Sequence, residues 1–246
     1  MIGCGFIGEG VLPLIFSHID IKPEQFLILT ADDRGRKVAE YFGVTFLINS
    51  INPLNCKEVL NSLIQPGDFL LNLAADVETS EIVDICSQKG VLYLDTCIDS
   101  WLGESTDTNL SVSRRSLYRL REKVLTLKKK WTENGPTCVL AHGANPGIVS
   151  HLVKKALLNM ADEEGRHVTT PKTQIEWAYL SQSLGIKVIH IAERDSQIAS
   201  SRKMPNEFVN TWSIDGFVGE SLQPAELGWG SHEKYFPADG GKHTFG

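Results

Sequence analysis

A glycine-rich motif at the start of the chain has the spacing of a dinucleotide-binding turn. Gly3, Gly5 and Gly8 fit the pattern G-x-G-x-x-G, and an apolar stretch typical of a helix follows them. In this motif the first glycine allows a tight turn, the second lets the backbone approach a pyrophosphate, and the third lets the helix pack closely on a strand. The backbone amides at Phe6 and Ile7 would begin that helix. Amides of a first helical turn have no partner inside the helix and can bind phosphate oxygens.

An acidic residue stands where such a motif needs one. Asp32 lies 24 residues after Gly8, at the end of the next predicted strand. Its carboxylate would accept hydrogen bonds from the ribose hydroxyls and repel a 2′-phosphate, which favours NAD over NADP. The nearby Arg34 could bind a 2′-phosphate, so NADP stays an alternative cofactor. The alternative interpretation is a plain glycine turn and a surface aspartate.

Polar residues follow several later predicted strands. Ligands of open α/β sheets bind beyond the carboxyl ends of the strands. The candidates for the nicotinamide half of the site are therefore residues 72–76, 95–99 and 142–145. From the first two stretches we select Asn72 and Thr96 as cofactor-binding candidates.

Carboxylates surround a tryptophan in the second half of the chain. Glu193 comes directly after an apolar stretch, and Trp212 is followed by Glu220 and Glu226. Carboxylates pair with ammonium groups, and an indole face attracts a cation by about 0.5–2 kcal/mol. The pattern indicates a site for an organic cation. The alternative is a core role for Trp212 and a simple ion pair between Glu193 and Arg194.

Missing motifs, the net charge and the spacing of the cysteines argue against several other classes of protein. The patterns G-x-S-x-G, G-x-x-x-x-G-K-[ST] and H-E-x-x-H are absent, and the seven histidines are scattered, so we expect no metal site. The formal net charge of −6 argues against nucleic acid as a partner. No apolar run is long enough for a membrane span, and no secretory signal is visible. Five widely spaced cysteines without a C-x-x-C pair indicate reduced thiols in a cytoplasmic protein.

The positions of apolar and turn residues predict alternating strands and helices. This alternation is typical of βαβ units, so the expected fold is α/β, with a Rossmann-type doubly wound parallel sheet. The predicted strands are 25–30, 44–48, 69–73, 91–94 and 136–140, and the predicted helices include 34–42, 54–63, 80–89, 109–134 and 148–160.

A polar stretch at residues 162–171 suggests a domain boundary. We expect an NAD-binding domain over residues 1–160 and the start of a second, substrate-binding α/β domain with a mixed sheet over 161–246. Within the second domain the sequence predicts a helix at 173–183, a strand at 186–191 and an extended segment at 208–217. Only two residues precede the glycine motif, and the glycine-rich end lacks a terminal element. The chain is therefore expected to be truncated at both ends.

Five segments resemble the bacterial homospermidine synthases, a family of the saccharopine-dehydrogenase-like group. They are 95–99 (DTCID), 142–147 (HGANPG), 189–197 (IHIAERDSQ), 210–213 (NTWS) and 223–230 (QPAELGWG). The resemblance implies a Rossmann domain, a second α/β domain for substrate binding and dimerisation, a homodimer, and NAD held as a prosthetic group. It also implies the reaction: two putrescines, or putrescine and spermidine, condense with release of ammonia. Hydride passes to NAD to give an imine, a second amine displaces ammonia to form a Schiff base, and the retained NADH reduces it.

The same resemblance suggests roles for particular residues. Trp212 would stabilise cationic intermediates, and Glu193 and Glu220 would bind ammonium groups or relay protons. Asn145 would orient the substrate. Asp99 stands where the family has a glutamate, so its role departs from the family pattern. Two alternatives are another dehydrogenase of the same group, acting on a different amine or amino-acid imine, and a non-catalytic NAD-binding sensor.

Overall fold

Five short parallel strands form the sheet of the first part of the chain. The computed structural model describes residues 1–104, 106–131, 134–194, 196–226, 228 and 233–241. The strands are β1 (Leu27–Thr30), β2 (Thr45–Ile48), β3 (Phe69–Asn72), β4 (Leu92–Asp95) and β5 (Cys138–Val139). β1 pairs with β2, β3 with β4, and β4 with β5, all in parallel.

The N-terminal residues join the two parts of this sheet. Ile2 bridges to Leu29 of β1 and to Asn72 of β3. The amide of Ile2 donates to the carbonyl of Leu71, and the amide of Gly3 donates to the carbonyl of Leu29, both at 2.8 Å. The order β2–β1–Ile2–β3–β4–β5 is that of a doubly wound Rossmann sheet, and its order reverses at Ile2. The predicted fold class is confirmed, and the glycine turn leaves the sheet at its switch point.

Five helices accompany these strands: α1 (Phe6–His18), α2 (Arg36–Phe42), α3 (Cys56–Leu63), α4 (Thr79–Lys89) and α5 (Leu117–Lys128). Apolar side chains from the strands and from α3 and α4 form the main core, including the buried Leu70, Ile82 and Tyr93. Among the described residues, no helix is long and apolar enough to cross a membrane.

The helix predicted over 109–134 is shorter than expected. The hydroxyl of Ser116 accepts a hydrogen bond from the amide of Arg119, and α5 begins directly after this cap. Upstream, Ser116 also donates to the carbonyl of Ser113, which closes a turn. Serine competes for backbone hydrogen bonds in this way and favours helix starts over helix interiors.

The described contacts divide the chain into two units. The first contains Met1–Ala141, Gln197–Glu226 and the described residue of 241–246, and the second contains the described residues of 142–196 and 227–240. This division differs from the expected boundary at residue 160, which lies inside helix α6 (Ile148–Glu163). The polar stretch that suggested the boundary is the end of α6 and the loop after it.

The second unit is helical in its described residues. α6 packs against α7 (Gln174–Ser183), and Leu157, Ala161 and Leu180 form a small buried cluster. The strand predicted at 186–191 is wrong, because no strand is present there. Apart from one isolated bridge, the described residues of this unit form no sheet, so they do not form the expected mixed sheet.

Residues 197–226 belong to the first unit and end in helix α8 (Ile214–Leu222). The extended segment predicted at 208–217 is therefore wrong from Ile214 onward. The hydroxyl of Ser213 accepts a hydrogen bond from the amide of Gly216 and caps the helix. This local bond overcomes the low helix propensity of the two glycines in α8.

Candidate functional site

The three glycines of the N-terminal motif have different surroundings. Gly3 has a φ of +82°, and a Cβ there would lie 2.7 Å from the amide nitrogen of Ala74. A Cβ at Gly8 would lie 3.0 Å from the carbonyl oxygen of Gly3, whereas a Cβ at Gly5 would meet no atom of the described residues within 4 Å, its chain neighbours aside. Packing within the chain therefore requires glycine at position 3 and leaves little room for a side chain at position 8. Gly5 faces open space, which is the surrounding a bound pyrophosphate would need.

The first turn of α1 can bind an anion. Gly5 caps the helix without a side-chain hydrogen bond, so the cap residue leaves the first amides of the helix available. The positive end of the helix dipole lies at the same place. The side chains of Phe6 and Ile7 are 65% and 52% exposed beside these amides. The backbone at Phe6 and Ile7 could thus hold the phosphates of a dinucleotide.

Asp32 follows β1 and is held by Arg34. The backbone amide of Arg34 donates to Asp32 Oδ1 at 3.0 Å, and its Nε donates to Oδ2 at 2.8 Å. A guanidinium nitrogen of Arg34 also lies 2.7 Å from Oδ2. The hydrogen bond from the Arg34 side chain is the main cause that lowers the pKa of Asp32, so the carboxylate is ionised at neutral pH. Gly35, with a φ of +78°, packs against Cys4, which places this loop directly on the glycine turn.

Asn72 and Thr96 lie at the carboxyl ends of neighbouring strands. Asn72 is buried at the end of β3, where its Oδ1 accepts from the amide of Ala74 at 3.2 Å and its Nδ2 donates to the hydroxyl of Tyr93 at 3.1 Å. Thr96 is half-buried, one residue beyond β4. The side-chain amide of Asn72 already forms two hydrogen bonds within the protein. Contact of Asn72 or Thr96 with a cofactor stays a prediction.

Asp99 lies in an acidic region beyond β4. Its carboxylate accepts hydrogen bonds from the amides of Asp76 and Ser100, both at 2.8 Å. Burial is the main cause that raises the pKa of Asp99, and the charges of Asp76 and Glu78 add to the rise. Negative groups gathered in this way could bind an ammonium group.

Glu78 is an acidic residue that the sequence did not single out. It is buried, and Lys123 of α5 pairs with it at 3.1 Å. It lies two residues beyond the stretch 72–76, which was selected because it comes after a strand. Extending that stretch to the start of the next helix is the signal that could have found it.

Helix α8 brings Glu220 to the loop after β4. Loss of water around the thiolate is the largest cause that raises the pKa of Cys97 to about 12, although part of the residue contacts solvent. The charges of Asp99, Asp95 and Glu220 raise it further. The structure therefore brings Glu220 and Asp99, two of the candidate site residues, to the surroundings of one thiol.

Trp212 lies two residues before α8. It is half-buried, and its ring contacts the ring of Phe217 with the centroids 6.3 Å apart. A Cβ at Gly216 would lie 2.9 Å from Trp212 Cζ3, so this glycine makes room for the indole. The buried Nδ2 of Asn210 has no hydrogen-bond partner among the described residues. An unpaired donor thus lies close in sequence to the candidate cation-binding ring.

The second unit carries the remaining candidates, Asn145 and Glu193. Asn145 is exposed in a turn in which the amide of Gly143 donates to the carbonyl of Pro146 at 2.8 Å. Glu193 is exposed in a segment without regular secondary structure. In the described part of the chain, no group of three or more histidine, cysteine or acidic residues is placed to hold a metal ion.

The sheet order and the glycine turn define a Rossmann-type nucleotide-binding domain, and comparison with known families agrees. The model of the saccharopine dehydrogenase NADP binding domain matches residues 1–139, and that of the saccharopine dehydrogenase C-terminal domain matches residues 143–245. The chain belongs to the saccharopine dehydrogenase family. The two matches meet close to the place where the described contacts divide the chain.

Homospermidine synthases are similar over the whole chain. The synthase of Blastochloris viridis is 43% identical and that of Mesorhizobium japonicum 40% identical, each over 100% of this chain and 52% of the relative. The crystal structure of the Legionella pneumophila homospermidine synthase in complex with NAD matches with a TM-score of 0.85 and 43% identity. That match covers 99% of this chain and 50% of the other. The chain spans about half the length of the curated relatives it matches.

Proposed function

We propose that the protein is a homospermidine synthase, which condenses two putrescines, or putrescine with spermidine, and releases ammonia. The observation that carries this proposal is the 40–43% identity to homospermidine synthases along the entire chain. The two saccharopine dehydrogenase models alone would equally suit other dehydrogenases of the group. Acidic side chains beyond β4 give the proposal a chemical basis, because the substrates are dications.

The proposed cofactor is NAD. The open space at Gly5, the uncapped start of α1 and the ionised Asp32 fit the pyrophosphate and the adenosine ribose. When bound, NAD would accept hydride from the carbon next to an amine and return it later. The negative charge of Asp32 favours NAD over NADP, since the latter carries a phosphate on the same ribose.

The residues of the chain would bind and orient the amines. Glu220 and Asp99 would pair with ammonium groups, and Glu193 would do so or relay a proton. Asn145 would orient the substrate. Removal of hydride and a proton from putrescine gives an imine, the amine of the second molecule adds to it, and ammonia leaves. Trp212 would stabilise the resulting cationic Schiff base through its ring face before hydride returns.

Labelled putrescine tests this reaction. Full-length protein would be incubated with NAD and putrescine that carries deuterium on its amine-bearing carbons, with excess unlabelled NADH in solution. Homospermidine, released ammonia and free NADH would be followed by mass spectrometry and absorbance. A product that keeps every deuterium, with no net change in NADH, is expected, because hydride stays on the bound nucleotide and returns to the same carbon.

Two other results would favour the alternatives. Accumulation of NADH without a coupled amine would indicate an ordinary amine or amino-acid dehydrogenase. Tight NAD binding without any turnover would indicate a sensor. Either result would contradict the proposed synthase.

We further propose that the protein is a cytoplasmic homodimer without nucleic-acid or membrane partners. The five thiols are free and the family resemblance implies a dimer. Light scattering on the full-length protein would test the dimer directly, and a monomer at micromolar concentration would contradict it.

A further inference from the structure

A carboxylate that the proposed reaction does not use lies buried at the end of β4. Asp95 is 1% exposed. Its Oδ1 accepts from the amide of Ala141 at 2.6 Å, and its Oδ2 accepts from the hydroxyls of Tyr93 at 2.9 Å and Thr79 at 3.4 Å. Within the described ranges no lysine, arginine or histidine forms an ion pair with it.

Strand register explains how these groups meet. Asn72 and Asp95 are partners in the β3–β4 pairing. Tyr93 and Asp95 are two residues apart on β4, so both side chains point to the same face of the sheet. Asn72, Tyr93 and Asp95 therefore lie on one face of the sheet, close to the carboxyl ends of β3 and β4.

Asp95 sets the direction of two hydrogen-bond chains. A hydroxyl has a single hydrogen, so Tyr93 and Thr79, which donate to the carboxylate, must accept from elsewhere. Tyr93 accepts from Nδ2 of Asn72 at 3.1 Å, and Thr79 accepts from the amide of Asp99 at 2.9 Å. All these bonds can form together because every partner of Asp95 donates to it.

The two chains end at different parts of the candidate site. Asn72 also accepts from the amide of Ala74, the residue against which Gly3 of the dinucleotide turn packs. Asp99 carries a carboxylate of the acidic region, and Thr79 binds it a second time, donating its amide to the Asp99 carbonyl at 3.1 Å. One buried carboxylate thus connects the cofactor side of the site with the amine side.

We propose that Asp95 is a positioning residue that orients Asn72 through Tyr93 for the cofactor, and Asp99 through Thr79 for the amine. The amine half of this proposal rests on the proposed function. The cofactor half needs only dinucleotide binding.

Three substitutions of similar shape separate the two chains of bonds. Tyr93→Phe removes the link to Asn72, Thr79→Val removes the link to Asp99, and Asp95→Asn disturbs both. In full-length protein freed of nucleotide, calorimetry would give the Kd of NAD, and initial rates would give KM and kcat for putrescine. Ser116→Ala is the control, since Ser116 is also buried but caps α5.

The proposal predicts a split between the two parameters. Tyr93→Phe should raise the Kd of NAD about tenfold and leave the putrescine KM nearly unchanged, the size expected for one lost hydrogen bond to a charged group. Thr79→Val should raise the putrescine KM about tenfold and leave the Kd of NAD nearly unchanged. Asp95→Asn should raise both, and adding Thr79→Val to it should raise KM no further.

A purely structural role would give a different result. Equal effects of Tyr93→Phe and Thr79→Val on both parameters, or a lower Tm alone, as for Ser116→Ala, would overturn the proposal. If the wild-type protein binds NAD but makes no homospermidine, the proposed function fails. The cofactor half then decides: unchanged NAD affinity in Tyr93→Phe and Asp95→Asn would overturn the positioning role as well.

Discussion

The choice between NAD and NADP depends on two neighbouring residues. Asp32 is ionised and holds the side chain of Arg34 through two guanidinium contacts. While this pair is intact, the carboxylate repels a 2′-phosphate and the guanidinium is bound to the carboxylate. The carboxylate of Asp32 favours NAD, and the guanidinium of Arg34 favours NADP. The negative charge of the carboxylate decides which cofactor is preferred.

Asp32→Asn should therefore shift the preference toward NADP. It removes the repulsion and weakens the pairing with Arg34, so the ratio of the NADP Kd to the NAD Kd should fall about tenfold, which is about 1.4 kcal/mol. Calorimetric titration with each nucleotide measures the ratio. Asp33→Asn makes the same charge change at the next residue and should leave the ratio unchanged. A gain in NADP affinity that survives the addition of Arg34→Ala would show that Arg34 does not bind the phosphate.

Trp212 should matter for turnover and not for cofactor binding. Trp212→Leu should lower kcat/KM for putrescine about tenfold, since a ring–cation contact contributes about 0.5–2 kcal/mol. Trp212→Phe, which keeps an aromatic face, should lose less. Steady-state rates and NAD titration measure the two effects. Phe208→Leu tests packing alone, because the ring of Phe208 contacts the same Phe217 ring at a tilt. Loss of turnover in that variant equal to the loss in Trp212→Leu would argue for a packing role.

The sequence predicted the residues of the cofactor site better than it predicted the hydrogen bonds between them. The glycine spacing and Asp32 could be selected because they lie close in sequence and their chemistry is local. The links of Asp95 to Tyr93, Thr79 and Ala141 could not be selected in the same way. They depend on the pairing of β4 with its neighbours and join residues up to 46 positions apart.

At the scale of elements, the strand–turn–helix unit at the N-terminus gives each glycine a different task. Gly3 has a positive φ and touches the chain after β3, whereas Gly5 has a φ of −80° and open space around it. Alanine is tolerated in the second conformation and strained in the first.

Gly3→Ala and Gly5→Ala should therefore fail in different ways. Gly3→Ala should lower the free energy of unfolding by about 2 kcal/mol or more, from strain and the contact with Ala74. Gly5→Ala should cost less than about 1 kcal/mol of stability but raise the Kd of NAD about tenfold, because its methyl group occupies the space of the pyrophosphate. Denaturant unfolding and NAD titration separate the two. A Gly5→Ala protein with unchanged NAD affinity would mean that the phosphates lie elsewhere.

The alternating strands and helices of the first unit could be predicted because each has a clear apolar period between turn residues. α8 was missed for a local reason, since glycines and β-branched residues around Trp212 favour an extended chain and only the Ser213 cap reverses this preference. The strand predicted at 186–191 has apolar residues of the right type. A strand also needs a neighbouring strand, and none lies beside it in the described part of the chain.

At the scale of the whole molecule, the return of residues 197–226 to the first unit could not be seen from sequence. Nothing in the composition of that segment marks it as part of the earlier unit. The contacts of this segment include the hydrogen bond from the amide of Tyr118 to Glu226 Oε1, at 3.1 Å and 108 positions apart. Long-range contacts of this kind carry no periodicity.

The free energy of unfolding should depend on pH through the ionisation of Asp95. Burial is the main cause that raises its pKa from 3.8 to about 6. Between these two pH values the folded chain keeps a proton that the unfolded chain has lost. The stabilising contribution is therefore complete below about pH 4 and is lost as the pH rises through about 6.

The Asp95→Asn variant makes this contribution measurable. The stability of the wild-type protein relative to Asp95→Asn should fall by about 3 kcal/mol between pH 3 and pH 7, at 1.36 kcal/mol per pKa unit. Urea unfolding at several pH values measures the difference. Ser116→Ala, at a buried residue without a titratable side chain, is the control. A constant difference between wild type and Asp95→Asn would mean that the carboxyl group ionises alike in both states.

The exposed side chains of Phe6 and Ile7 have a consequence for handling the protein. Two large apolar groups stand in water at the mouth of the dinucleotide turn, and a bound nucleotide would cover them. Nucleotide binding that removes this apolar surface from water would have a negative heat-capacity change. The nucleotide-free protein keeps an exposed apolar surface that the nucleotide-bound protein would lack. Cofactor loading would then act as protection against aggregation as well as preparation for chemistry, and preparations stripped of nucleotide would be the ones that precipitate.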